Sequence, residues 1–137
     1  MNRAAFLLLA AVACAEPAER NACQGPAAVT SGPLKVDGTT ARLLVANGAR
    51  LVDVRAPDFF AGGHIEGAIN VPWAQVVGRA AEIGPPETEV VLYCRTGEGS
   101  EKAAAALARL GYRHVYDLGS YLNWGEGAPA ATPLPVR

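Results

Sequence analysis

From residue 34 onward, short apolar runs alternate with longer stretches of helical character. Leu34-Lys35-Val36 predicts a short strand, and Thr39 or Thr40 is a candidate cap for a helix through Ala46 that stops at Asn47-Gly48. Leu51-Val52-Asp53-Val54-Arg55 predicts the next strand, and Pro57 opens a short helix through Phe59-Phe60 that Gly62-Gly63 breaks. Ala68 to Val71 predicts another short strand closed by Pro72, and Trp73 to Ala81 a helix ended by Gly84-Pro85-Pro86. Val90-Val91-Leu92-Tyr93 is apolar on both faces, the pattern of a central strand covered on both sides. Ser100 is a candidate cap for a helix from Glu101 to Leu110, with Gly111 as its stop. His114 to Leu118 predicts the last strand and Tyr121 to Trp124 a closing turn. This alternation predicts an α/β fold with a mainly parallel sheet, in which reactive loops lie at the carboxyl ends of strands. Cys94 occupies such an end.

The two ends of the chain read differently. Met1-Asn2-Arg3 carries one positive charge, and Ala4 to Ala15 is an unbroken small or apolar run, too short to span a bilayer that needs about 20 helical residues. Residues 1–15 therefore predict a secretory signal and a periplasmic destination. Ala11-Val12-Ala13-Cys14 resembles a bacterial lipobox, which makes Cys14 a candidate for lipidation and membrane attachment. Ala13-Cys14-Ala15 equally fits the small-x-small rule for ordinary cleavage, so free and lipid-anchored forms both stand. Residues 16–33 lack periodicity and read as a flexible linker, 34–127 as the domain, and 128–137 as a proline-rich tail.

Composition narrows the partners. Half of the 137 residues are hydrophobic and 18% are charged, a globular balance with room for one domain. The net charge is −1, and residues 32–127 carry nine Lys/Arg against eleven Asp/Glu, close to −2. No basic field exists to attract nucleic acid. The three cysteines show no metal-binding spacing and no nucleotide-binding glycine motif is present, so no cofactor is expected.

Candidate chemistry concentrates in Cys94-Arg95-Thr96-Gly97-Glu98-Gly99-Ser100. With glycines at 97 and 99, a loop joining a buried strand to a capped helix can turn successive N–H groups inward as an anion-binding nest. A helix N-terminus and an adjacent cation, here Arg95, favour a cysteine thiolate. An inert core cysteine needs neither the glycines nor the loop position, and a metal ligand lacks partners at useful spacing. A cysteine phosphatase would carry arginine six positions after the nucleophile, where this chain has Ser100.

Leu51 to Arg55, Phe60 and Gly63-His64-Ile65-Glu66-Gly67-Ala68-Ile69-Asn70-Val71-Pro72 resemble the first signature of the rhodanese family. Val90 to Ser100 resembles the second, and Gly111-Tyr112, Val115 to Leu118 and Trp124 the closing segment. The resemblance implies a sheet of about five mainly parallel strands flanked by helices on both faces. It also implies sulfur transfer through a Cys94 persulfide, from thiosulfate or a persulfide donor to cyanide or a thiol, with a protein thiol among the candidate acceptors. Residues 95 to 100 would form the persulfide-binding loop, and Asp53 and Arg55 a buried pair that supports it. His64 reads as a turn residue rather than a base.

Glu98 and Gly99 depart from the family, which often has basic or neutral and arginine residues there. A lone carboxylate about 6 Å from an anionic donor costs about 0.7 kcal/mol at the dielectric of water and about 2.8 kcal/mol at an effective value of 20. Glu98 is therefore expected to make thiosulfate a poor donor. Ser120 replaces a common glycine. Two further functions stand beside the enzyme: a persulfide-carrying, sensing or partner-binding module with little turnover, and an oxidative sensor pairing Cys94 with Cys23.

Overall fold

A computed structural model describes residues 32–128. The expected signal segment, Cys14, Cys23, nearly all of the linker and all but the first residue of the tail lie outside the described residues. Five strands, β1 (Leu34–Lys35), β2 (Arg50–Asp53), β3 (Ile69–Asn70), β4 (Glu89–Cys94) and β5 (His114–Ser120), form one sheet in the order β1-β5-β4-β2-β3. Every pairing is parallel. The helices are α1 (Gly38–Ala46), α2 (Pro57–Ala61), α3 (Ala80–Ile83) and α4 (Glu98–Arg109).

β4 lies at the centre because its side chains satisfy both faces of the sheet. Val90, Leu92 and Cys94 join one core with Ile83 of α3 and Ala103, Ala104 and Leu107 of α4. Val91 and Tyr93 join the other, with Ala41 of α1, Ile65 and Tyr121. A fully buried Val or Leu contributes about 1.5–3 kcal/mol, so an apolar strand gains most in this double-sided position. The alternation also fixes where the thiol points: Cys94 faces α4.

Three local expectations change. Asp37, not Thr39 or Thr40, caps α1, its carboxylate accepting from Thr40 N at 2.8 Å. An aspartate just before Gly38 starts the helix a turn earlier than the threonines could. The helix expected over Trp73 to Ala81 is a 3₁₀ turn at Trp73–Gln75, a turn over 76–79, and α3. Val76, Val77 and Gly78 are poor helix formers, and Trp73 N is committed to Val54 O at 3.0 Å. The third change, at Ser100, shapes the site.

Candidate active site

The segment from Cys94 to α4 is shorter than the expected six-residue loop. Only Arg95, Thr96 and Gly97 lie between β4 and the helix, so Glu98, Gly99 and Ser100 form the first turn of α4. Gly97 is the residue before the helix, with a φ of 102°. That left-handed conformation is cheap for glycine and strained for other residues, and it reverses the chain at once. Ser100 is therefore not the cap; its Oγ donates to Gly97 O at 2.9 Å from inside the helix.

The reversal places the start of α4 over the thiol. Gly97 N donates to Cys94 Sγ at 2.9 Å, and a Cβ on Gly99 would stand 3.7 Å from Sγ. A helix leaves its first N–H groups without intrahelical partners and carries partial positive charge at that end. A sulfur anion at Cys94 thus meets the Gly97 N–H and the positive end of α4. Cys94 is 5% exposed and opens into a pocket of about 270 Å³.

Side chains around this pocket carry the charge. Arg95 lies with its Cζ 6.0 Å from the Phe59 ring centre, which steers the guanidinium toward the mouth. Glu98 pairs with Lys102 at 2.6 Å, one helical turn on. This glutamate-before-lysine spacing of four is the favourable order on a helix. Lys102 holds the Glu98 carboxyl below its usual range, by hydrogen bond first and charge second. The expected repulsion by Glu98 assumed an unpaired carboxylate, and Lys102 supplies its counter-charge. Lys102 Nζ also lies 5.0 Å from the Trp73 ring centre.

Asp53 and Arg55 brace the end of β2 beside the loop. Both are buried, and Arg55 Nε and Nη2 donate to the Asp53 carboxylate at 2.6–3.0 Å. Arg55 Nη2 also donates to Gly63 O at 2.7 Å, and its Cζ stacks near the rings of Tyr93 and Tyr121. Tyr93 and Tyr121 belong to the core on the face opposite Cys94, while Arg55 also lines the Cys94 pocket, so the pair ties the β2 end to the pocket wall. His64 stacks on Phe60 and meets Phe60 O at 3.0 Å through Nδ1, an exposed turn contact.

Ser120 acquires a role that the sequence left blank: its Oγ donates to Arg95 O at 2.8 Å, tying the loop to β5. Trp73, Phe59 and Lys102 were also not singled out for the site. Trp73 and Phe59 are far from Cys94 in sequence, and no local pattern signals their approach. Lys102 carried a signal in its spacing from Glu98. Among the described residues no cluster of three His, Cys, Asp or Glu side chains could hold a metal ion.

Comparison with known proteins places most of the described residues in one family. The rhodanese-like domain family matches residues 39–126. The thiosulfate sulfurtransferase PspE of Escherichia coli is 38% identical over 69 residues, which cover 50% of this chain and 66% of PspE. A sulfurtransferase of Allochromatium vinosum is 37% identical over 94 residues, covering 67% of this chain and 87% of that protein. The solved structure of the human single-domain sulfurtransferase TSTD1 superposes with a TM-score of 0.58 at 28% identity, over 69% of this chain and 95% of that one.

Proposed function

Because the chain belongs to the rhodanese-like domain family, we propose that it is a sulfurtransferase whose nucleophile is Cys94. The observation that carries the reading is the placement of Sγ within 2.9 Å of Gly97 N, beneath the first turn of α4 and open to a pocket. The Cys94 thiolate attacks the outer sulfur of a donor such as thiosulfate. The new S–S bond forms as the donor's S–S bond breaks, and sulfite leaves with the bonding pair. The resulting Cys94 persulfide passes its terminal sulfur to cyanide or a thiol, regenerating the thiolate and giving thiocyanate or a new persulfide. No proton has to move in the cyanide reaction, which fits a pocket with no histidine among its lining residues.

The helix N-terminus and Gly97 N–H favour negative charge on the sulfur in both states. Asp53, Arg55, Ser100 and Ser120 position the backbone that presents these donors. The apolar run over residues 4–15 supports export, with Cys14 as a lipidation site; a diacylglyceryl mass on membrane-fraction protein tests that anchor.

The direct test is to incubate the purified protein with thiosulfate, measure its mass, then add cyanide. A gain of about 32 Da, one sulfur at Cys94, that cyanide discharges as thiocyanate and that Cys94→Ser lacks is expected. A persulfide that forms but does not discharge points to a sulfur carrier instead. A mass that never changes, with thiosulfate or polysulfide, overturns the enzyme.

A further inference from the structure

The pocket mouth contains a charge arrangement that the sulfur-transfer chemistry itself does not explain. Glu98 stands in the first turn of the helix that presents N–H groups to Cys94, where a carboxylate opposes any anion approaching the sulfur. Lys102 answers it from position i+4, with Nζ 2.6 Å from the carboxylate. Lys102 is half-exposed, with Trp73 beneath it and the ring centre 5.0 Å from Nζ. Trp73 in turn reaches this position because residue 99 is glycine: a Cβ there would come within 3.3 Å of Trp73 Cδ1. Trp73 is anchored from behind by its backbone bond to Val54 O. Gly99, Trp73 and Lys102 therefore form one packed unit that brings a cation from the helix flank to the mouth.

We propose that Lys102 is the specificity-determining residue for anionic sulfur donors, cancelling Glu98 so that a doubly charged donor such as thiosulfate can reach Cys94. The inference rests on the sulfurtransferase reading for its substrate, but its charge argument concerns the pocket alone. Without Lys102, Glu98 faces the donor uncompensated. A single uncompensated charge near 6 Å in a water-like medium corresponds to about threefold weaker binding of a monoanion and about tenfold weaker binding of a dianion. Lys102 does not touch Sγ and takes part in no bond change.

The test uses the whole protein with Lys102→Met, Glu98→Gln and the double variant, at low salt. Methionine keeps an unbranched stem over Trp73, and the double variant restores the mouth's net charge without its ion pair. In the thiosulfate–cyanide assay, Lys102→Met should raise the KM for thiosulfate about tenfold while kcat stays within about twofold. Glu98→Gln should lower that KM, and the double variant should return it to within about threefold of the original. A parallel measurement reads charge without turnover: the rate of Cys94 alkylation by anionic iodoacetate divided by that for neutral iodoacetamide, followed by peptide mass. Lys102→Met should lower this ratio about threefold and the double variant should restore it. An unchanged alkylation ratio in Lys102→Met, or a double variant as impaired as the single one, overturns the role of Lys102. If the protein accepts no sulfur from any donor yet the ratio shifts as stated, the charge role holds and the sulfurtransferase reading falls.

Discussion

Replacing Asp53 with asparagine separates structural support from chemistry. The carboxylate is fully buried and receives Arg55 Nε and Nη2 as well as Arg55 N. Removing one partner of a buried pair costs about 3–5 kcal/mol, because the other charge is left without compensation. Arg55 retains some help: Gly63 O still accepts from Nη2, and the Tyr93 and Tyr121 rings lie 5.8 and 5.2 Å from Cζ. Each ring offsets about 0.5–1 kcal/mol, and the asparagine oxygen can still accept one bond. The net loss should be about 2–3 kcal/mol, against about 0–1 kcal/mol for breaking the exposed Glu98–Lys102 pair. Urea unfolding should show the midpoint falling by about 1–3 M at a slope of about 1–2 kcal/mol per molar. Replacing both residues with apolar ones, Asp53→Leu with Arg55→Met, should recover most of that loss. A midpoint within about 0.3 M of the original in Asp53→Asn would refute the assignment of this pair as the brace of the β2 end.

Two further outcomes follow from contacts around the loop. Burial first, and the Asp53 charge next, push the Tyr93 phenol well above its ordinary value. The unfolded phenol ionises near pH 10, so this contribution to stability is intact below that pH and falls as pH rises above it. Tyr93→Phe should flatten the alkaline decline by up to about 1.4 kcal/mol per pH unit, while losing about 1 kcal/mol at neutral pH with the Ile65 N bond; an equally steep decline in both proteins would count against it. Ser120→Ala removes the bond to Arg95 O and should cost about 1 kcal/mol in urea unfolding, with kcat/KM for thiosulfate down about three- to tenfold. Unchanged kinetics would mean that the loop holds its shape without β5.

The strands were legible because their signals are local. Val90 to Tyr93 reads as a central strand from composition alone, and the glycine and proline punctuation at 62–63 and 84–86 marks real ends. The position of Cys94 at the end of the central strand, ahead of a glycine turn and a helix, was legible because these segments follow one another directly. The start of α4 was not, because a serine cap and a left-handed Gly97 predict the same helix with starts a few residues apart. Only the backbone turn decides between them. The helix expected from Trp73 starts there but breaks after Gln75, where Val76, Val77 and Gly78 follow, and the bond from Trp73 N to Val54 O is a tertiary contact that no window of sequence contains. The meaning of Glu98 changed because a charge was read alone, whereas its energy depends on Lys102 four residues on.

The strand order has a consequence for how the protein is made. β5 is the last strand among the described residues, yet it pairs with both β1 and the central β4. Its pairing with β4 slips by one residue between Leu92 and Tyr93 and resumes with Cys94 opposite Ser120. The anchor on Arg95 therefore comes from a residue synthesised after the whole nucleophile loop. Without β5, β4 would be an open edge of the sheet, with Cys94 at its end. β5 reaches β4 through the short α4 crossover, whereas its pairing with β1 spans nearly the whole domain and carries the larger loop-closure cost. Docking of β5 therefore both completes the sheet and shelters the Cys94 thiol, which is 5% exposed in the finished fold.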